Sequence, residues 1–105
     1  MTCLAAAPTV AHMKIAFDPA KDAANIAKHG VSLADASRLD WARALVWVDE
    51  RRDYGEVRQC ALAPFGERLF FVAFVDRADG RRIISLRKAN QREFDEHAAY
   101  LDSSH

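Results

Sequence analysis

The sequence has few of the residues from which covalent and metal-bound sites are built. Its two cysteines, Cys3 and Cys60, are too few and too far apart to form a disulfide framework or a zinc site. The four histidines have no metal-ligand spacing. The glycine-rich phosphate loop, Cys-x-x-Cys, His-Glu-x-x-His and Gly-x-Ser-x-Gly motifs are all missing. These absences argue against a metalloenzyme, and we expect neither a metal nor a cofactor.

Long apolar runs are also missing. No run reaches the roughly 18 residues needed to cross a bilayer, and the opening segment lacks the basic region of a signal peptide. Together with the low cysteine content, this pattern favours a cytoplasmic protein without a membrane partner. We expect residues 1–12 to be a disordered extension and residues 13–105 to form a single domain. Met13 is an alternative to Met1 as the true start.

Charge of one sign does not dominate, because 15 basic and 15 acidic residues cancel. This balance argues against a protein that coats nucleic acid by bulk charge, although a local basic patch can still steer an anion. Residues 81–93, RRIISLRKANQRE, form such a patch with five cations and one carboxylate. The cations are Arg81, Arg82, Arg87, Lys88 and Arg92. Because arginine offers a fork of donors that matches a phosphate, the patch predicts a polyphosphate backbone as its ligand.

The first half of the chain has clear boundary signals. Residues 13–18 alternate as a short strand does. Asp18 can cap a helix that ends before Gly30, which suits the left-handed position there. Ser32, with Asp35 three residues later, predicts a second helix that stops near Trp41.

The second half has strand character at residues 44–48, 57–65, 68–76 and 81–89, and 68–76 is apolar enough to be a central strand. Asn90 and Glu93 form a capping box for a last helix, on which Phe94, Ala98 and Leu101 are the predicted buried stripe. We predict an α+β domain with an antiparallel sheet, helices packed on one side, and the order β-α-α-β-β-β-α.

The alternation of the last strand predicts which basic residues share a face. Arg81, Ser85 and Arg87 are expected on one face, with Arg82 and Lys88 on the other. Charged residues at strand ends are usually solvated, and a serine in a strand is often filler. Arg87 differs because it follows apolar residues in mid-strand, so it needs either a function or a specific buried partner.

His29 also has two interpretations. It can complement the dipole at the end of its helix, or it can act as a general acid or base near neutral pH.

Two stretches carry a family pattern. "FDPAKDAANIAKHGVSLADA" has an aromatic residue before Asp18, then Lys21, Asn25 and a Lys-His-Gly ending at residues 28–30. "RRIISLRKANQREFDEHAAY" has an Arg-Ile-Ile-Ser-x-Arg-x-Ala strand followed by a helix with Glu93 and Tyr100. Together they resemble the BrnT family of bacterial type II toxins across residues 13–101. The middle segment, residues 44–66, has no recognised family signature.

The resemblance implies a RelE-like fold, RNA cleavage that arrests growth, and a BrnA-like antitoxin that binds DNA, expected as a ribbon-helix-helix protein. It also implies a heterotetramer of two toxins and two antitoxins. We expect Arg87, His29 and Arg82 to be catalytic, and the substrate contacts to be Lys28, Arg81, Ser85, Lys88 and Arg92. The residues leave a second class open, in which the same basic face binds RNA or a partner protein without chemistry.

Overall fold

The computed structural model describes residues 14–50 and 55–103. These residues form five strands, two α-helices and two 3₁₀ segments. The strands are β1 (Ile15–Ala16), β2 (Leu45–Val48), β3 (Gln59–Phe65), β4 (Arg68–Arg77) and β5 (Gly80–Lys88). The helices are α1 (Pro19–His29) and α2 (Gln91–Ser103), and the 3₁₀ segments are Leu33–Arg38 and Trp41–Arg43. The predicted extension at residues 1–12 lies outside the described residues.

The strands form one mixed sheet in the order β1-β5-β4-β3-β2. The α+β class and the central position of residues 68–76 are therefore confirmed. The predicted element order is one strand short, because all four segments of strand character after the helical region form strands. The sheet is not wholly antiparallel either, since β1 pairs with β5 in parallel. This pairing requires a glycine at position 80, because a Cβ there would lie 2.6 Å from the Lys14 carbonyl oxygen. No helix within residues 14–50 and 55–103 has the length and apolar character needed to span a membrane.

Helix α1 begins and ends where the sequence predicts. The Asp18 carboxylate accepts a hydrogen bond from the Ala20 N–H at 2.9 Å, Pro19 is the first helical residue, and Gly30 has φ 75°. The predicted second helix is wrong, because two 3₁₀ segments occupy its place. Its apolar residues recur every third position and all are buried, namely Leu33, Ala36 and Leu39. Three residues per turn is the period of a 3₁₀-helix.

The 3₁₀ segments cover one face of the sheet, here called the core face. Leu33 and Trp41 pack there against Phe74, which is fully buried in the middle of β4. The Trp41 ring meets the Phe74 ring edge-on at 5.3 Å, and its Nε1 donates to the Ala36 carbonyl at 3.0 Å. The polar end of the tryptophan is therefore satisfied inside the core.

A shift of register changes the face of the sheet on which the first residues of β5 lie. Ala73 pairs with Ser85 but the next residue, Phe74, pairs with Ile83, so Ile84 is an extra residue, as in a β-bulge. Arg82 opposes Val75 and Arg87 opposes Phe71, which lie on the same face of β4. The predicted alternation is therefore confirmed for Ser85, Arg87 and Lys88 but wrong for Arg81 and Arg82, because the bulge reverses the facing of the residues before it.

Two faces of the sheet consequently carry different residues of β5. Arg81, Ile83, Leu86 and Lys88 lie toward the core face, whereas Arg82, Ser85 and Arg87 lie on the other face, here called the opposite face.

Helix α2 turns a different side toward the protein from the one predicted. Glu93 and His97 are buried, whereas Phe94 is 48% exposed and Ala98 is exposed. Nε2 of His97 donates to the Arg43 carbonyl at 2.8 Å, so this histidine anchors α2 to the second 3₁₀ segment. Glu93 binds Arg87 on the opposite face, so the helical elements are not all on one side of the sheet.

The side chain of Asn25 joins α1 to β5. Its Oδ1 accepts from the Leu86 N–H at 3.1 Å, and its Nδ2 donates to the carbonyls of Leu86 at 2.8 Å and Val31 at 2.9 Å. Since β1 pairs with β5 at residues 81–82, the amide continues the pairing of this strand edge beyond β1. Three buried or part-buried hydrogen bonds thus depend on one side chain.

We predict that Asn25→Ala lowers the free energy of unfolding by about 2–4 kcal/mol, because it leaves an N–H and two carbonyls without their partner. Denaturant unfolding measures the loss, and hydrogen exchange of the Leu86 amide should accelerate. Ser37→Ala is the control, since it removes an exposed hydrogen bond to Ala34 and should change stability by less than about 0.5 kcal/mol. Equal effects of the two substitutions would contradict the assignment.

Candidate functional site

The guanidinium of Arg87 is held on three sides. Its Nη1 and Nη2 each lie 2.8 Å from a carboxylate oxygen of Glu93, and Nη1 also donates to the Lys88 carbonyl at 3.2 Å. The guanidinium carbon lies 4.3 Å from the centre of the Phe71 ring. The Arg87 side chain is 32% exposed, whereas the Glu93 side chain is 7% exposed. Arg87 is therefore a fixed cation with one side open to solvent.

Glu93 holds Arg87 and starts α2 with the same carboxylate. Its Oε1 accepts the Asn90 N–H at 2.9 Å, while the Asn90 side chain accepts the Glu93 N–H at 2.8 Å. This reciprocal pair confirms the predicted capping box. The hydrogen bonds from Arg87, followed by that from the Asn90 backbone, lower the pKa of Glu93, and burial opposes them. The same carboxylate raises the pKa of Arg87.

Arg87 lies in an open cavity of about 590 Å³, here called the Arg87 cleft. Its walls come from β2, β3, β4, β5, α2 and the residues just after β2. Trp47 is 39% exposed at its edge and meets Phe71 at 5.9 Å between ring centres. The lining residues include four carboxylates against two arginines. The charged ones are Asp49, Glu50, Glu93, Glu96, Arg87 and Arg92.

Arg81 is separated from this cleft. Its guanidinium forms two hydrogen bonds with Asp76, at 2.6 and 2.9 Å, and stacks 4.1 Å from the Phe74 ring centre and 4.6 Å from that of Trp41. These partners place it on the core face. Arg81 therefore has the contacts of a structural residue and does not join Arg87.

The remaining predicted cations occupy different positions. Arg82 and Ser85 share the opposite face with Arg87, and Ser85 lies between the two arginines. Arg92 lines the Arg87 cleft. Lys88 is exposed at the end of β5, toward the core face.

His29 and Lys28 lie outside the walls of the Arg87 cleft. Lys21 near the start of α1 shares a cavity with Arg82, and Asn25 one turn later bonds to Leu86, so α1 runs alongside the edge of β5. His29 follows Asn25 by four residues and lies on the same side of the helix. It is therefore near the end of β5 that carries Arg87, but it approaches from the strand edge.

Sequence reasoning missed three parts of this site. Glu93 was interpreted as a cap alone, and neither Phe71 nor Trp47 was assigned to Arg87. The sequence did contain a signal for the pairing of Arg87 with Glu93. A mid-strand arginine needs a buried partner, and Glu93 is the one carboxylate within residues 81–93. Within the described part of the chain, no cluster of three histidine, cysteine or acidic side chains is arranged to hold a metal ion.

The chain was also compared with known proteins. The model of one protein family, described as the ribonuclease toxin BrnT of type II toxin-antitoxin systems, matches residues 17–93. This range covers more than half of the chain and includes α1, β2 to β5 and the start of α2. No curated protein sequence matches the chain.

We predict that Glu93→Gln destabilises the protein by about 1–3 kcal/mol at neutral pH, because a charged hydrogen-bond partner of Arg87 is lost. The folded-state pKa of Glu93 is lowered, so its contribution is present above the unfolded value of about 4.3 and disappears as pH falls through the lower folded value. Urea unfolding at pH 7 and pH 3 should therefore show that acidification lowers the free energy of unfolding less for this variant than for the native protein.

Glu96→Gln is the matched control for this prediction, because Glu96 is an exposed residue of the same helix and the same cleft. Its unfolding free energy should follow that of the native protein at each pH. Indistinguishable curves for the two glutamine variants would show that Glu93 has no special role.

Proposed function

Because the chain belongs to the BrnT family of ribonuclease toxins of type II toxin-antitoxin systems, we propose that it is a metal-independent endoribonuclease that cleaves RNA and thereby inhibits translation and growth. The observation that carries this proposal is the fixed, partly open guanidinium of Arg87 in its cleft. The mixed sheet is in keeping with a RelE-like ribonuclease fold, which is part of the proposal.

The chemistry requires few protein groups. When the 2′-hydroxyl of the RNA attacks the neighbouring phosphate, the protein must supply a base near that hydroxyl, cations at the phosphate and an acid for the leaving oxygen. The attack breaks the phosphate–5′-oxygen bond, and the products carry a 2′,3′-cyclic phosphate and a 5′-hydroxyl. No serine or cysteine nucleophile is needed.

Arg87 is assigned to the developing charge on the phosphate. A donor that is already fixed in place needs no reorganisation during the reaction, and one such donor contributes about 3–4 kcal/mol. Glu93 and Phe71 supply this fixation, so Glu93 is proposed as a positioning residue. Its lowered pKa makes it a weak base, so it is not assigned the proton transfer.

His29 is proposed as the general acid or base. It lies at the same end of β5 as Arg87, and histidine is the side chain that most often transfers protons in catalysis. The substrate would have to reach it across the edge of β5. Lys28, beside it, is a proposed substrate contact, as are Ser85, Lys88 and Arg92, and Arg82 is proposed to hold a further phosphate.

The family assigns the chain an antitoxin partner and an RNA substrate. We further propose that the antitoxin is BrnA-like, binds DNA through a ribbon-helix-helix fold, and forms a heterotetramer with two copies of the toxin. A cytoplasmic location is proposed for this complex.

One observation favours a second candidate, a binding module without chemistry. The charge of Arg87 is already paired with Glu93, so a structural role for this arginine would also explain its contacts. Kinetics separate the two candidates, because an enzyme loses rate steeply at one or two positions while still binding RNA.

We predict that the purified protein cleaves a labelled single-stranded RNA in EDTA. Arg87→Ala should reduce the rate about 10²- to 10³-fold, and His29→Ala should reduce it about 10²- to 10⁴-fold. The 5′ fragments should end in a cyclic phosphate, which acid treatment opens. Arg68→Ala, at an exposed strand end, is the control and should retain the native rate.

The outcomes of this assay are distinct. Native cleavage by a folded Arg87→Ala variant would remove Arg87 from the reaction. If the folded native protein did not cleave RNA in chelator, the metal-independent mechanism on free RNA would be wrong, and the binding module would remain.

A further inference from the structure

The opposite face of the sheet has two ends of unlike charge. At one end, the Arg87 cleft has four carboxylates and two arginines among its lining residues. A polyanion that approaches this end is attracted by the two arginines and repelled by the four carboxylates. The face therefore needs cations elsewhere if it is to hold an RNA backbone, and the chain as a whole is neutral.

Cations collect at the other end of the same face. Two neighbouring cavities, of about 190 and 230 Å³, have Arg77 and Arg82 as shared lining residues. Four cations from different parts of the chain line the smaller cavity and are here called the Arg82 cluster: Lys21, Arg58, Arg77 and Arg82. The lining carboxylates among the described residues are Glu56 and Asp79.

The cluster retains charge that is not neutralised internally. Arg77 and Glu56 form an ion pair at 3.1 Å, but their side chains are 41% and 50% exposed, and such pairs contribute little. Neither Lys21 nor Arg82 has an ion-pair partner in the part of the chain that the structure describes. Arg82 is half-buried, and its backbone is fixed because it opposes Val75 of β4 on one side and Ala16 of β1 on the other. A guanidinium that extends from a fixed strand position beside further cations suits a tetrahedral oxyanion.

We propose that the Arg82 cluster binds a backbone phosphate of the RNA, distinct from the phosphate that faces Arg87; this inference rests on the proposed ribonuclease function. Arg82 and Arg87 are five residues apart along β5, which is roughly 13–16 Å at the rise of a strand. That distance exceeds one nucleotide. The RNA therefore lies along β5, and the cluster fixes its register relative to Arg87.

Lys21 is the part of the cluster that the family resemblance left without a role. It lies on α1, whose position on β5 is set by Asn25. The same helix ends at His29. A single rigid element would thus contribute both an anchor for a distant phosphate and the proposed acid or base.

The experiment measures binding of a fluorescein-labelled 2′-O-methyl RNA, which lacks the nucleophilic hydroxyl, by anisotropy from 50 to 200 mM NaCl. Each lost phosphate contact removes about 0.7 from the slope of log affinity against log salt, which is about fivefold in affinity near 0.1 M. Lys21→Gln and Arg82→Gln should each show this change. Arg82→Lys keeps the charge and should keep the native slope.

Arg68→Gln is the matched control, because it makes the same charge change at an exposed residue of a cavity on the core face. It should bind as the native protein does. Thermal melting of every variant establishes that it is folded. If Lys21→Gln and Arg82→Gln bound RNA like this control, the inference would be wrong.

Two further arms separate RNA from other anions. Inorganic phosphate at matched ionic strength should displace the RNA only at millimolar concentration or above, and displacement at micromolar concentration would identify a free-phosphate site and overturn the inference. Loss of antitoxin binding in Lys21→Gln and Arg82→Gln, with RNA affinity unchanged, would likewise overturn it in favour of an acidic protein partner.

The readout does not depend on cleavage. If the native protein bound 2′-O-methyl RNA through the cluster but did not cleave ordinary RNA, the ribonuclease proposal would fail alone. If it cleaved RNA while the cluster variants bound normally, the cluster proposal would fail alone.

Discussion

The amide of Asn25 is the contact on which the arrangement of the domain depends. It pairs with the N–H and the carbonyl of Leu86, 61 positions away, and so substitutes for a neighbouring strand where β1 has already ended. An amide buried at a strand edge must find partners or cost free energy, so this geometry fixes α1 in direction and depth. The residue next to Leu86 is Arg87, and thus one hydrogen-bonded pair aligns the end of α1 with the fixed guanidinium.

Most of the fold could be predicted where the signal is local. Asp18, Gly30 and the capping box of Asn90 with Glu93 act within a few residues, and all three have the predicted roles. The failures concern longer-range effects. The bulge at Ile84 depends on how β5 pairs with β4. The sequence does not show it, because the arginines and isoleucines of β5 are compatible with either face of the sheet. The side of α2 that is buried is decided by polar anchors instead of apolar residues, because Glu93 binds Arg87 of β5 and His97 binds the carbonyl of Arg43, 54 positions away.

The sequence predicts which types of residue form the candidate site, but it does not predict which of them lie close together. A mid-strand arginine had to have a function or a partner, and Arg87 has the partner, Glu93. The sequence predicts that Arg81 and Arg82 lie on opposite faces, but it does not show which of the two shares a face with Arg87, because that depends on the bulge. Trp47 joins the cleft through a strand at the far edge of the sheet. Neither local secondary-structure propensity nor the spacing of charges predicts that β2 lies beside this cleft.

The parallel pairing of β1 with β5 also determines when the domain can assemble. The first strand of the sheet has no partner until the last strand has been synthesised, and α1 has no edge to dock on before Leu86 exists. Such distant contacts slow folding, because the chain must close a long loop before they form. A ribosome makes the N-terminal part first. The strands β2, β3 and β4 can therefore pair early, whereas β1 and α1 have no partner until β5 has been made. The pair of Arg87 and Glu93 needs the chain up to residue 93, so the cleft cannot form before these residues have been synthesised.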